Sequence, residues 1–274
     1  MIPIIITGAG GRMGKTLVAA VTTSKEFRLV GATERSDSPL VGKDAGVVAG
    51  LDPLEVLISK DLAQVFAQIK LSLKKIRPVV IDFTHPDATL GHLSQTVSHK
   101  TPMVIGTTGF TSAQLKELGR LSSKIPLVVS PNMSIGVNML FKLVTEAAHV
   151  LGQEYDMEIF EAHHRLKKDA PSGTAVRLAE ILADKSGRNY PKDFVFHRQG
   201  MIGERHSKEI GIQVLRGGDI VGEHTVFFCG NGERLEIKHV ATSRQTFADG
   251  ALRAASWISG KKPGLYDMSH VLQY

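Results

Sequence analysis

The first half of this chain alternates short apolar segments with helical patterns, and that alternation restricts the available folds more than any other feature. Ile2–Thr7 is apolar at almost every position and only six residues long, so it reads as a strand buried on both faces rather than as a helix. Similar short runs occupy residues 28–33, 54–58, 78–83, 102–106 and 126–130. Helical patterns fall between them at 12–22, 61–69 and 86–97, and from the capping box Thr111-Ser112-Ala113-Gln114 to about Ser122. Residues 36–53 are rich in Gly, Asp and Pro and read as a long loop, and 68–77 as a basic connector with no assigned structure. Strands that alternate with helices pair in parallel and are covered on both faces, which predicts a doubly wound α/β sheet.

Beyond residue 132 the pattern changes. Residues 135–151 predict a long helix with Val137, Leu140, Phe141, Val144, Ala147 and Ala148 on one face. Strand patterns follow at 194–197, 209–216, 219–229 and 234–241, with Gly217-Gly218 and Asn231-Gly232 as hairpin signals. This predicts an α+β domain with a mainly antiparallel sheet. Helical character returns at 243–259, before a tail over 263–274. The expected division is therefore residues 1–132 with 241–274 as one domain, and 133–240 as a second.

At 274 residues, 42% hydrophobic and 22% charged, the chain can bury ample core for two domains. The net charge of +6 is scattered, and only 6% of residues are aromatic, so neither a basic stripe nor a stacking platform for nucleic acid is present. An anionic small substrate and cofactor explain the same bias. A single cysteine, Cys229, excludes an internal disulfide framework and fits a reducing, cytoplasmic setting. Met1 leads straight into the first strand without a basic signal region, and no apolar run has transmembrane length, so no membrane association is expected.

The first strand runs into Thr7-Gly8-Ala9-Gly10-Gly11-Arg12-Met13-Gly14. Glycines at 8, 11 and 14 allow a tight turn, close approach to a pyrophosphate, and packing of the next helix. The spacing is GxxGxxG rather than the commoner GxGxxG, and alone it would be no more than a tight strand-to-helix turn. Its place after the first strand, and Glu34 at the end of the second, make it a dinucleotide signal and the first domain Rossmann-like. Glu34 would accept hydrogen bonds from the ribose hydroxyls of NADH, and Arg35 would attract the 2′-phosphate of NADPH, so use of either cofactor is expected. Gly106, Thr107 and Thr108 end another strand, and Ser130, Pro131, Asn132 and Met133 a third. Both small, polar stretches suit the nicotinamide side.

The densest chemistry lies in the run from Glu161 to Ala175, expected as a loop after a strand at 157–160. His163, His164, Arg165, Lys167 and Lys168 crowd into six residues. Pro171-Ser172-Gly173-Thr174 then opens a helix with Ser172 as N-cap, leaving the amides of Gly173 and Thr174 for a carboxylate or phosphate. A solvated basic loop before a capped helix is the bland reading. The functional one is an anion pocket with proton donors beside it. No residues show metal-ligand spacing.

With these stretches in view, the chain resembles the 4-hydroxy-tetrahydrodipicolinate (dihydrodipicolinate) reductase family. The motifs that carry the resemblance are residues 8–14, 106–109, 132–138, 161–175 and Gly217-Gly218-Asp219-Ile220-Val221-Gly222-Glu223-His224. It implies NAD(P)H-dependent reduction of a small heterocyclic dicarboxylate in lysine and diaminopimelate biosynthesis, by a homotetramer assembled through the sheets of the second domain. It implies that His163 is the catalytic histidine and Lys167 a proton donor, that His164, Gly173 and Thr174 bind substrate, and that Gly8, Ala9, Gly10, Gly11, Arg12, Met13, Glu34, Arg35, Gly106, Thr107, Thr108 and residues 130–133 hold the cofactor. His85 stands where some members have Arg. Hydride addition leaves an enamine-like anion that needs a proton, which Lys167 or His163 can donate, with neighbouring cations expected to disfavour the charged form of Lys167. The alternatives are another two-domain NAD(P)-dependent oxidoreductase, which would lack the His-His…Lys…Ser-Gly-Thr run, and a non-catalytic dinucleotide sensor, which would leave the clustered acids without a task.

Overall fold

The structure, a computed structural model, describes residues 1–70, 77–152 and 154–274. The chain divides into two compact units, Met1–Ile135 with Arg244–Tyr274, and Gly136–Ser243.

The first unit contains β1 (Ile2–Thr7), α1 (Arg12–Thr23), β2 (Phe27–Thr33), α2 (Ala45–Ala49), β3 (Ile58–Ser59), α3 (Leu62–Ile69), β4 (Val79–Asp82), α4 (Pro86–Ser98), β5 (Met103–Ile105), α5 (Ser112–Ser122) and β6 (Pro126–Val129). The second runs from α6 (Ile135–Leu151) through β7 (Asp156–His163), α7 (Gly173–Ser186), β8 (Phe194–Val195), β9 (Ile210–Arg216) and β10 (Gly222–Cys229) to β11 (Arg234–Ala241). The chain then returns to the first unit with α8 (Gln245–Ile258), β12 (Gly264–Tyr266) and α9 (Met268–Leu272).

The first sheet has the order β12-β6-β5-β4-β1-β2-β3, with every ladder parallel. Strand residues alternate between two cores, as a period of two requires. Ile4, Ile6, Val79, Ile81, Val104 and Val128 pack with α1 and α8. Ile5, Val80, Met103, Ile105 and Leu127 face α3, α4 and α5. The strand order reverses between β1 and β4, the switch point at which such sheets bind ligands. The helix α8 lies close because it is small-sided: a Cβ on Gly250 would meet the Met133 carbonyl oxygen at 1.8 Å.

Two local expectations need correction here. The loop at 36–53 contains α2, capped by Asp44, whose carboxylate accepts from the amides of Gly46, Val47, Leu54 and Val56. The strand expected at 54–58 shrinks to β3. The tail supplies β12 at the sheet edge. Of the basic connector, residues 71–76 lie outside those described.

The second sheet has the order β11-β10-β7-β9-β8 and is mixed, with β10 antiparallel to β7 and β11, and β9 parallel to β7 and β8. The Asn231-Gly232 hairpin joins β10 and β11, with Gly232 at φ +89°. No hairpin forms at Gly217-Gly218, because α7 carries the chain across and sets β9 parallel to β7, and β10 takes the other side of β7. The glycine pair instead turns back onto the end of β7: the Gly217 amide donates to the His163 carbonyl at 2.9 Å, and the Arg165 amide to that of Gly218 at 3.2 Å. Leu140, Val144, Leu178 and Leu182 of α6 and α7 cover one sheet face, over Met157, Ile159, Ile212, Val226 and Phe228.

Candidate active site

The strand β7 runs further than the sequence suggests. Pairing with β9 on one side and β10 on the other continues through residues expected as loop, with Glu161 opposite Val214 and His163 opposite Arg216. Two residues apart on a strand, Glu161 and His163 share a face. The Glu161 side chain has no exposed surface. Its Oε2 is 2.6 Å from His163 Nδ1 and accepts from Arg216 Nη1 at 2.8 Å. Its Oε1 accepts from Arg216 Nη2 at 2.9 Å and from the Ser172 amide at 2.9 Å. Burial works to raise the Glu161 pKa, but the hydrogen bonds from His163, Arg216 and Ser172 outweigh it and hold the carboxyl at about 2. An ionised carboxylate only accepts, so Nδ1 of His163 carries the proton and Nε2 is the atom available for chemistry. That nitrogen lies over Gly222, where an added Cβ would come within 3.1 Å of it.

A second imidazole backs the first. His224 is buried, with its ring edge-on to His163 at 5.2 Å between centroids. Its Nε2 faces Ser172 Oγ at 3.0 Å, while that hydroxyl accepts the Ala175 amide and caps α7. Burial, then the neighbouring His163 charge, lowers the His224 pKa to about 3, so the ring is neutral.

The loop between β7 and α7 is pinned at both ends. Arg216 Nη2 donates to the Asp169 carbonyl at 2.7 Å, and the Lys167 amide to that of His164 at 3.1 Å. Of the five clustered cationic side chains, Arg165 and Lys168 are exposed. His163 and Lys167 turn inward, and Lys167 Nζ sits 2.9 Å from Asp169 Oδ2. Beside the cations that the sequence clusters around Lys167, the structure places this carboxylate. Burial raises the Asp169 pKa, but Lys167 outweighs it and leaves it below the ordinary range. Gly173 and the buried Thr174 form the first turn of α7, whose amides point out of the helix end. Arg216 and His224 were missed as site residues. His224 belongs to a quoted family motif, and Arg216 stands just before the Gly217-Gly218 turn.

In the first unit, residues 8–13, 34–35, 106–108 and 130–133 lie at the carboxyl ends of β1, β2, β5 and β6. Gly8 has φ +64°, and a Cβ on Gly14 would fall 2.1 Å from the Gly8 carbonyl oxygen. The N-cap of α1 is Gly11, with no side-chain cap, so the amides of its first turn are left for an anion. Glu34 Oε1 accepts from the Gly10 amide at 2.8 Å, fixing the acid against the turn. Arg35 is exposed, 3.7 Å from Asp37. Thr107 and Ser130 are buried, and Asn132 Oδ1 accepts from the Ser134 amide at 2.9 Å. Ala9 and Met133 have side chains buried in the core, and the Ala9 amide donates to the Thr33 carbonyl at 3.0 Å, so both act in the site by shaping its backbone. His85 is the exposed N-cap of α4. A dinucleotide fits this set: an uncapped helix end, a glycine turn that Cβ atoms would fill, and an acid at the end of β2.

Two family descriptions match: "Dihydrodipicolinate reductase, N-terminus" over residues 2–133 and "Dihydrodipicolinate reductase, C-terminus" over 136–272. The chain belongs to the dihydrodipicolinate reductase family. It is 53% identical over 272 residues to the 4-hydroxy-tetrahydrodipicolinate reductase of Syntrophotalea carbinolica, covering 99% of each chain. It is 50% identical to that of Anaeromyxobacter dehalogenans, covering 99% of this chain and 98% of the relative. Among solved structures, a dipicolinate-bound dihydrodipicolinate reductase from Paenisporosarcina sp. TG-14 matches with a TM-score of 0.74 at 27% identity over 97% of each chain. An amine dehydrogenase from Mycobacterium smegmatis, at 14% identity and TM-score 0.60 over 96% of this chain and 94% of its own, shares the fold alone. Family membership makes the chain an oxidoreductase with a dinucleotide-binding N-terminal domain. Among the described residues no helix is long and apolar enough to cross a membrane.

Proposed function

We propose that this chain reduces 4-hydroxy-tetrahydrodipicolinate to tetrahydrodipicolinate, in lysine and diaminopimelate biosynthesis. The observation that carries the reading is the clamp of buried Glu161 on His163, beside Lys167 and the first turn of α7, in a chain of this family. NADH or NADPH supplies the hydride when bound. The amides of Gly173 and Thr174 anchor one substrate carboxylate at the positive helix end, and His164 helps to bind the dianion. Lys167 gives the proton to the reduced ring. His163, with Nδ1–H committed to Glu161, presents Nε2 for a second hydrogen bond or proton transfer. Residues 8–13 hold the pyrophosphate, Glu34 the ribose diol, Arg35 a 2′-phosphate, and residues 106–108 and 130–133 the nicotinamide side.

The second unit, Gly136–Ser243, is the substrate-binding and oligomerisation domain expected over 133–240, and the remainder is the cofactor domain. The sheet face opposite α6 and α7 carries Phe160, Leu215, Phe227 and Val240, with Leu215 40% and Val240 45% exposed, which suits assembly of a cytoplasmic homotetramer.

The deciding experiment follows loss of reduced-nicotinamide absorbance, with substrate generated in situ from aspartate semialdehyde and pyruvate by a synthase. Turnover with NADH, NADPH or both is expected. Protein that binds NADH and does not turn over would defeat the reading. Light scattering at working concentration tests the tetramer, and a monomer would remove that part.

A further inference from the structure

One buried carboxylate in the first unit has no part in the roles assigned above. Asp82 ends β4 with no exposed surface, next to β1 and β5 in the sheet. Its Oδ2 accepts from Thr7 Oγ1 at 2.8 Å and lies 2.6 Å from His92 Nδ1. Its Oδ1 accepts from the hydroxyls of Thr84, Thr89 and Thr107, each at 2.8 Å, and from the Thr84 amide at 3.1 Å. Thr84 and Thr89 also reach Thr107 Oγ1, at 2.9 and 3.0 Å.

These partners come from separate segments, and three of them carry or touch the proposed cofactor contacts. Thr7 immediately precedes Gly8. Thr107 lies in the 106–108 stretch. The Thr84 methyl sits 2.8 Å from where a Cβ on Gly8 would be. Six donors converge on one side chain, and only an ionised carboxylate offers acceptors alone. Its charge is retained: burial works to raise the pKa, but the His92 hydrogen bond and charge, with Thr7 and Thr107, bring it to about 2.

We infer that Asp82 is a positioning residue for the dinucleotide, setting the spacing between the glycine turn after β1 and the 106–108 loop after β5 before the cofactor arrives. The inference rests on the reading of the first unit as the cofactor domain. Loops held at the right separation need no ordering on binding, so the network acts on affinity more than on the chemical step. An Asn at position 82 would keep the shape but turn an NH₂ group toward donors.

The test measures NADH affinity by fluorescence, steady-state kinetics and thermal unfolding for the full chain, Asp82→Asn and Val79→Ala. Val79 is buried at the opposite end of the same strand, so its truncation weakens β4 without touching the network. Asp82→Asn is expected to weaken NADH binding about tenfold or more, as loss of hydrogen bonds to a charge implies, with kcat at saturating NADH changed much less. Val79→Ala should lower Tm and leave affinity unchanged. Wild-type affinity in Asp82→Asn, or equal weakening by Val79→Ala at the same loss of Tm, would overturn the inference. If Asp82→Asn does not fold, Thr7→Val decides, with severalfold weaker binding expected and unchanged binding against it. Wild-type protein that binds neither NADH nor NADPH would instead bring down the cofactor reading, and the inference with it.

Discussion

His163 Nδ1 lies 2.6 Å from Oε2 of Glu161, a carboxylate with no exposed surface that also takes both terminal nitrogens of Arg216. The relationship decides which imidazole nitrogen does the work. Glu161→Gln keeps the shape but removes the charge, so the ring is held less firmly and its tautomer is no longer dictated. A fall in kcat of about 10²-fold is expected, the lower end of what a positioned acid or base contributes, with NADH affinity unchanged because none of the proposed cofactor contacts involves Glu161. Steady-state kinetics beside NADH titration checks this, and a wild-type kcat would show that the clamp has no catalytic consequence.

Lys167 faces Asp169 at 2.9 Å with its side chain 21% exposed, a positioned ammonium rather than a solvated one. Lys167→Ala is expected to lower kcat by about 10²- to 10⁴-fold while Tm stays close to wild type, since exposed and half-buried pairs of this kind add little stability. Full activity in the variant would remove Lys167 as the proton donor.

Gly14→Ala places a methyl 2.1 Å from the Gly8 carbonyl oxygen and 2.7 Å from Ala9 Cα. Both are backbone atoms of the turn, so α1 must back away from β1. A loss of about 1–3 kcal/mol in stability and weakened dinucleotide binding should appear together, by urea unfolding and NADH titration. A variant unchanged in both would show that the turn tolerates a side chain.

Acid should destabilise the second unit in two stages. His224 is held at about 3 when folded against a usual 6.5, so between these values the unfolded chain binds the extra proton. Its stabilisation is complete above about 6.5 and declines as pH falls toward 3. Glu161, at about 2 against 4.5, adds a second loss below about 4.5. His224→Gln should flatten the stability–pH curve from about 6.5 down to about 3 by up to ~1.4 kcal/mol per pH unit, leaving only the Glu161 part of the lower limb. Urea midpoints across that range measure the slope, and an unchanged slope would mean that His224 is not the group responsible.

What the sequence determined by itself was what local chemistry determines. Continuous apolar runs such as Ile2–Thr7 can only be doubly covered strands, glycines at 8, 11 and 14 mark a tight turn into a helix, and Ser172 caps the helix that follows it. Each depends on residues within a few positions of one another, and the parallel first sheet follows from their alternation. Tertiary structure alone decided the rest. Nothing local distinguishes a Gly217-Gly218 hairpin from a turn that folds back onto β7, because the choice depends on which side of β7 each strand takes. Arg216 reaches Glu161 across 55 residues of chain, and His224 reaches Ser172 across 52. Asp82 draws Thr7 and Thr107 together from 75 positions before it and 25 after. A buried charge must be surrounded by donors, but the sequence does not say where those donors come from, since side chains distant along the chain become neighbours only once the sheet orders its strands.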